Sequence, residues 1–198
     1  MKKTAVFLLF TLLFCAAASG QNLIILQYEN NSISPAWKPS DAPSWYEVYQ
    51  GPTWNTGSIG ANILVLSNLI QNDTLLSFGT MNVFDANKIS ATEFLFNVQD
   101  NFFVSLNTKV IGLRAGLSGG IGAYSGHLLN FYFNIGGLAG IHILPEAMFS
   151  FVLDIRPCYT IAFNIDSEIA DFFSAFKGRQ YGWTFPISAS LRINLDKF

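Results

Sequence analysis

From residue 147 to 195 the chain alternates. Phe149, Phe151, Leu153, Ile155, Tyr159, Ile161 and Phe163 take one parity, and Ser150, Asp154, Arg156, Cys158 and Thr160 take the other. After a break, Tyr181, Trp183, Phe185, Ile187, Ala189, Leu191, Ile193 and Leu195 share a parity against Gln180, Gly182, Thr184, Ser188, Ser190, Arg192 and Asn194. A period of two belongs to strands, whose successive side chains point to opposite faces. One face is apolar and rich in aromatics, and the other carries charge. Such strands fit between hydrocarbon on one side and a polar interior on the other.

The N-terminal stretch has Lys2 and Lys3, an apolar run from Ala5 to Phe14 and then small residues. These are the parts of a secretory signal peptide, with cleavage expected after Gly20. A spanning helix needs about 20 apolar residues, and this run is shorter. An acylated Cys15 is the alternative N-terminus, but Phe14 stands where a lipoprotein leader carries a small residue. With Cys15 removed, Cys158 is the one remaining cysteine, which gives no disulfide and no metal cluster. Packing is its expected role. The expected organisation is therefore 1–20 signal peptide and 21–198 a single domain. A net charge of −2 without a basic run excludes nucleic acid as a partner. Charged residues are only 12% of the chain, yet no helix-length apolar run follows the leader. An exported, apolar chain of this kind points to a closed β-barrel, since open strands leave backbone groups unsatisfied in lipid.

Strands are expected at 22–29, 57–70, 74–84, 88–98, 102–121 and 127–144, followed by the two opening segments. Residues 30–56 carry Pro35, Pro39, Pro43 and Pro52 with Trp37, Trp45 and Trp54, and read as a long loop. Gln71-Asn72-Asp73 and Gln99-Asp100-Asn101 read as tight polar turns. Residues 85–87, 122–126 and 145–146 supply the other short connections. The apolar parity switches between Val110 and Ile111, which predicts a β-bulge there. Pro157 and Pro186 cannot donate to a ladder and predict a bulge or a local gap in pairing at each. Between residues 166 and 179, Ile169, Phe172, Phe173 and Phe176 repeat at helical spacing, which predicts a short amphipathic helix in the last long loop. The count is eight strands. With both termini periplasmic, the tight turns fall on one side and both long loops on the extracellular side.

On this pattern, the leader and the terminal Phe198, the chain resembles the small eight-stranded bacterial outer-membrane barrels of the OmpX, OmpA-barrel and OmpW type. The resemblance covers essentially the whole mature chain. It implies an all-β, antiparallel up-and-down transmembrane β-barrel in the outer membrane, surrounded by outer-membrane lipid. It also implies delivery to the barrel-assembly machinery through the C-terminal strand ending in Phe198. Leu195, Ile193, Leu191 and Ala189 stand one residue out of phase with Phe198, so either the last turn kinks or Phe198 packs outside the ladder.

Strand parity turns Glu93, Arg114, Asp154, Arg156 and Arg192 inward, with His142 on the inward parity too. A lipid-facing arginine at midplane costs about 2–4 kcal/mol, which inward placement avoids. An eight-stranded barrel is just wide enough for side chains to fill. These groups therefore form a lumen charge network, each arginine offering a planar fork to a carboxylate. The loop aromatics Trp37, Trp45, Trp54, Phe172, Phe173 and Phe176 are candidates for ligand stacking or for packing on the barrel rim. No cofactor motif is present, and Ser125 beside His127 lacks an acid nearby in sequence, so no enzyme is expected. The expected function is surface display, structure or binding through the loops. Two alternatives stand beside it: a narrow porin-like channel for small or hydrophobic solutes, motivated by the glycine-rich wall, and a soluble lipocalin-like ligand carrier.

Overall fold

The structure, a computed structural model, describes residues 23–35, 38–39, 51–66, 69–85, 88–125, 129–164 and 180–197. The described part of the chain forms a closed antiparallel barrel of eight staves. They are β1 (Leu23–Asn31), β2 (Thr53–Leu66), β3 (Ile70–Asp85), β4 (Lys88–Asn107), β5 (Ile111–Ser125) and β6 (Leu129–Ile143). Each of the last two is in two pieces: β7 is Phe149–Ile155 and Cys158–Asn164, and β8 is Gln180–Thr184 and Ile187–Asn194. Each stave pairs with its neighbour in sequence, and β8 closes the ring on β1. At the upper end, Lys38–Pro39 continues the first stave beside Gln180 and Tyr181.

The stagger follows from the register. Starting at Phe149, the pairing runs through Ile193, Ile24, Ala61, Thr74, Asp100, Gly119 and Ile135, and returns to β7 at Tyr159. One circuit therefore climbs the same stave from residue 149 to residue 159. This slip tilts the strands and sets the narrow bore of the barrel.

Both proline expectations hold. The staves break at Arg156-Pro157 and Phe185-Pro186, and these breaks lie opposite each other. The chain satisfies its backbone locally: Arg156 N–H donates to Pro186 O at 2.9 Å, and Gly137 N–H to Pro157 O at 3.0 Å. Inward and outward parity is the same above and below each break, so neither is a one-residue bulge.

Three of the expected connections are corrected: residues 122–125 belong to β5, which runs to Ser125, and two of the tight turns lie inside staves. Gln71-Asn72-Asp73 lies inside β3, and the connection before it falls at 67–69. Gln99-Asp100-Asn101 lies inside β4, which runs unbroken to Asn107. Polar residues there read as turn chemistry, but Phe94, Phe96, Val98, Phe102, Val104 and Leu106 keep a single parity throughout. The real turn is Thr108-Lys109-Val110, the place of the expected bulge. There Thr108 N–H donates to Ile111 O at 2.8 Å, and Thr108 Oγ1 accepts from Ile111 N–H at 3.1 Å. The parity switch marks a hairpin rather than an inserted residue. The register irregularities sit instead near Leu64/Leu66 and Val83/Phe84.

At the C-terminus the ladder ends at Asn194, and Leu195–Lys197 turn as a 3₁₀ helix. This kink accounts for the phase break before Phe198. Phe198, the leader at 1–20 and the expected helix at 166–179 lie outside the described residues.

One glycine inserted between Lys109 and Val110 should shift the urea midpoint of the detergent-folded protein little. One inserted after Asp100 should flip Asn101, Phe103 and Ser105 outward and abolish the folded band on unheated gels.

Candidate functional site

Inward positions of every stave converge on the lumen, and the chain fills it with two charged groups and an aromatic layer. The lower group centres on Asp73, from β3. Its carboxylate accepts from Arg114 Nη2 at 2.9 Å, from Arg192, and from Asn62 Nδ2 at 2.6 Å. Arg114 Nε also lies 3.2 Å from Asp154 Oδ1. The side chains of Asp73, Arg114, Asp154 and Arg192 are all at most 4% exposed. The Arg114 guanidinium stacks 3.7 Å from the centre of the Phe103 ring, while Arg192 approaches the same ring at 5.8 Å. Nearby, His142 Nε2 and Ser150 Oγ share a hydrogen bond of 2.9 Å.

Register explains why these groups meet. Arg114 pairs with Gly140, and Gly140 pairs with Asp154, so a residue without a side chain separates acid from base. A Cβ at Gly140 would collide with the Asp154 carboxylate. The same device works at Gly122, where the Tyr132 ring lies over the missing side chain. At these two positions the wall makes room for a neighbouring side chain, which occupies the space.

The upper group is built on Glu29, near the end of β1. It binds Arg156 and accepts from Trp54 Nε1 at 2.8 Å and from Gln27 Nε2 at 3.4 Å. Gln27 Oε1 in turn accepts from Ser190 Oγ at 3.1 Å. Trp54 stacks on Tyr132 with ring centres 6.2 Å apart, and Met81, Leu95 and Ala162 complete this layer. Thr160 and Thr184 link their hydroxyls at 3.1 Å across the broken staves.

Arg114, Asp154, Arg156, Arg192 and His142 therefore all face inward as the parity requires. They form two groups, since Arg156 belongs to Glu29 and the other charged residues to Asp73. Glu93 shares the inward parity but stands apart from the Asp73 group. It pairs opposite Met81, at the upper end of the lumen, and is half-buried. Trp54 is corrected: it lies in β2, 3% exposed, and its indole faces Glu29 inside the barrel rather than a ligand in a loop. Trp37, Trp45, Phe172, Phe173 and Phe176 lie outside the described residues.

Sequence reasoning missed the two carboxylates that hold the arginines. Asp73 sits in the turn-like run Gln71-Asn72-Asp73, and Glu29 borders a proline-rich stretch. Charge balance could have found them, since three inward arginines outnumber the two inward acids Glu93 and Asp154. Among the described residues no group of three or more His, Cys, Asp or Glu could hold a metal ion.

No family model and no curated protein matches the chain. Among solved structures, the chain is similar to the crystal structure of Neisserial surface protein A, with a TM-score of 0.45 and 12% identity. That match covers 87% of this chain and 97% of the other.

Asp73→Ala should leave two buried guanidinium groups without their main partner, a loss of about 3–5 kcal/mol. Urea titration followed by tryptophan fluorescence measures this, and Glu93→Gln should cost less than about 1 kcal/mol in the same assay. Gly140→Ala, which drives a methyl into the Asp154 carboxylate, should cost about 1–3 kcal/mol.

Proposed function

We propose that this chain is a small membrane-spanning barrel of the bacterial outer membrane, with a closed lumen, whose working surface is its long connections. The observation that carries the reading is the polarity of the wall. Buried inward positions hold Gln27, Glu29, Asn62, Asp73, Asn97, Gln99 and Asn101, while outward positions expose Leu26, Phe94, Leu113, Leu117, Ile135, Phe151 and Leu153. A soluble ligand-carrying barrel needs the reverse, with apolar residues inside and polar ones in water.

The dimensions agree. At the usual strand rise and a tilt of about 40°, the outward apolar run from Phe149 to Ile161 stands roughly 30 Å tall, the thickness of a hydrocarbon core. A barrel also leaves no open edge among the paired staves, which lipid requires. The described connections at one end are short, Thr108–Val110 and Leu144–Met148, whereas the segments after Asn31 and after Asn164 are long. Both long segments fall at one end, together with the short connections between Asp85 and Lys88 and between Ser125 and Leu129, and this grouping of the long loops matches the bacterial arrangement.

The lumen supports a structural role rather than passage. Asp73, Arg114, Asp154 and Arg192 span the bore from β3, β5, β7 and β8, and the Trp54–Tyr132 layer lies above them. Moving a solute through would require separating buried ion pairs, which costs several kcal/mol at each step. Display or binding through the loops is then the role left to the chain.

The test joins address and lumen. The full-length protein should fractionate with the outer membrane and migrate faster unheated than boiled. Purified protein in planar bilayers should give no conductance steps. Recovery in the aqueous phase would overturn the membrane reading, and stable conductance in the wild type would overturn the closed lumen.

A further inference from the structure

The outer wall of the barrel is not uniform. On β5 to β8 the described outward positions of Ile111–Ala123, Phe131–Ile143, Phe149–Ile161 and Tyr181–Ile193 are all aliphatic, aromatic, glycine or proline. On the adjacent staves β3 and β4 the outward face carries Asn72, Thr74 and Asp100. These three are bonded to one another. Asn72 Nδ2 and Thr74 Oγ1 each donate to Asp100 Oδ1 at 2.9 Å, and Thr74 Oγ1 also lies 3.1 Å from Asn72 Oδ1.

The position of this cluster is what makes it informative. On the pairing path that climbs from Phe149 to Tyr159, the directly paired Thr74 and Asp100 lie midway. They therefore sit at the middle of the apolar wall, with Phe78, Val98, Phe102 and Val104 exposed around them. A carboxyl group facing hydrocarbon is desolvated without return, and such groups inside membranes mark functional contacts. Nothing in the barrel requires it, because β5 to β8 build the same wall from apolar side chains alone.

The cluster is also incomplete in a particular way. Both internal bonds to the carboxylate end on Oδ1. Asp100 Oδ2 and the second amide hydrogen of Asn72 have no partner among the described residues. One patch thus offers one unmet acceptor and one unmet donor. A two-fold contact needs this complement, since each group then meets its opposite on the symmetry mate. A differently built partner would have to supply both a donor and an acceptor of its own.

We propose that the β3–β4 outer wall is the contact face for a second copy of this chain within the membrane. In that dimer Asn72 of each copy donates to Asp100 of the other, ringed by Phe78, Val98 and Phe102. The proposal rests on the membrane reading, because only in lipid does a polar patch at mid-wall drive association.

The experiment uses the full-length protein in native membranes. Val98→Cys places a thiol at the face, and Ile161→Cys places one on the apolar wall of β7. Cys158 is buried and does not interfere. After oxidation, non-reducing gels should show a dimer of Val98→Cys at least tenfold above Ile161→Cys. Adding Asp100→Leu should lower that dimer at least tenfold while unheated protein still migrates as a folded barrel. Equal dimer yields at the two sites, a dimer indifferent to Asp100→Leu, or a cross-link to a protein of another mass would each overturn the proposal. A second measurement avoids the engineered cysteines. Sedimentation equilibrium of the wild type in detergent should give twice the chain mass, and Asp100→Leu should give the monomer. A monomeric wild type overturns the dimer, whereas loss of the folded band in the wild type overturns the membrane reading itself.

Discussion

The carboxylate of Asp73 holds the barrel's interior together. It takes Arg114 from β5 and Arg192 from β8, and Arg114 reaches on to Asp154 in β7. Four staves from around the ring are therefore tied by one connected group of charges. Without it, two guanidinium groups at most 3% exposed would remain buried without their shared partner. Burying an unpaired charge costs several kcal/mol, while a paired and hydrogen-bonded group can be held. The Phe103 ring beneath Arg114 and the Asn62 amide on Asp73 complete that pairing. The bore set by the register brings these side chains close enough to meet. Glycine at position 140 then gives the Asp154 carboxylate its place.

The interior thus combines two ion groups and many hydrogen-bonded side chains with one aromatic layer, inside an apolar wall. Hydrogen bonding and ion pairing organise the charged groups, while Trp54, Met81, Leu95 and Tyr132 pack as an apolar layer beside them. Specificity comes with it, since each arginine has a geometrically fixed partner. The Glu29 group repeats the arrangement higher up, where Trp54 supplies both a donor and a stacking surface for Tyr132. Two separate ion groups, rather than one continuous chain of charges, suit a closed and structural lumen better than a path for ions.

Much of the fold was legible because parity is so strictly imposed. A strand whose two faces meet lipid and a filled lumen cannot slip by one residue without exchanging them. Arg114, Asp154, Arg156 and Arg192 were placed inward from that rule alone, and Pro157 and Pro186 marked the true breaks. Turns were harder, because Asn72-Asp73 and Asp100-Asn101 have turn composition inside long staves. In each pair the odd-numbered residue enters the lumen and the even-numbered one faces outward. Composition weighs such residues as turn formers, whereas the apolar parity on either side of 99–101 continues straight through. Asp73 was missed for the same reason. Trp54 was misplaced because the prolines before it concealed where β2 begins.

The Asp73 group acts as one buried, coupled unit. A double-mutant cycle on Asp73→Leu and Arg114→Leu, read by equilibrium unfolding in detergent, measures this directly. Residues sharing a buried ion group should show a coupling energy of about 2 kcal/mol or more, with the double mutant more stable than Asp73→Leu alone. Additive losses would mean that the two side chains do not meet in the lumen and would contradict the account.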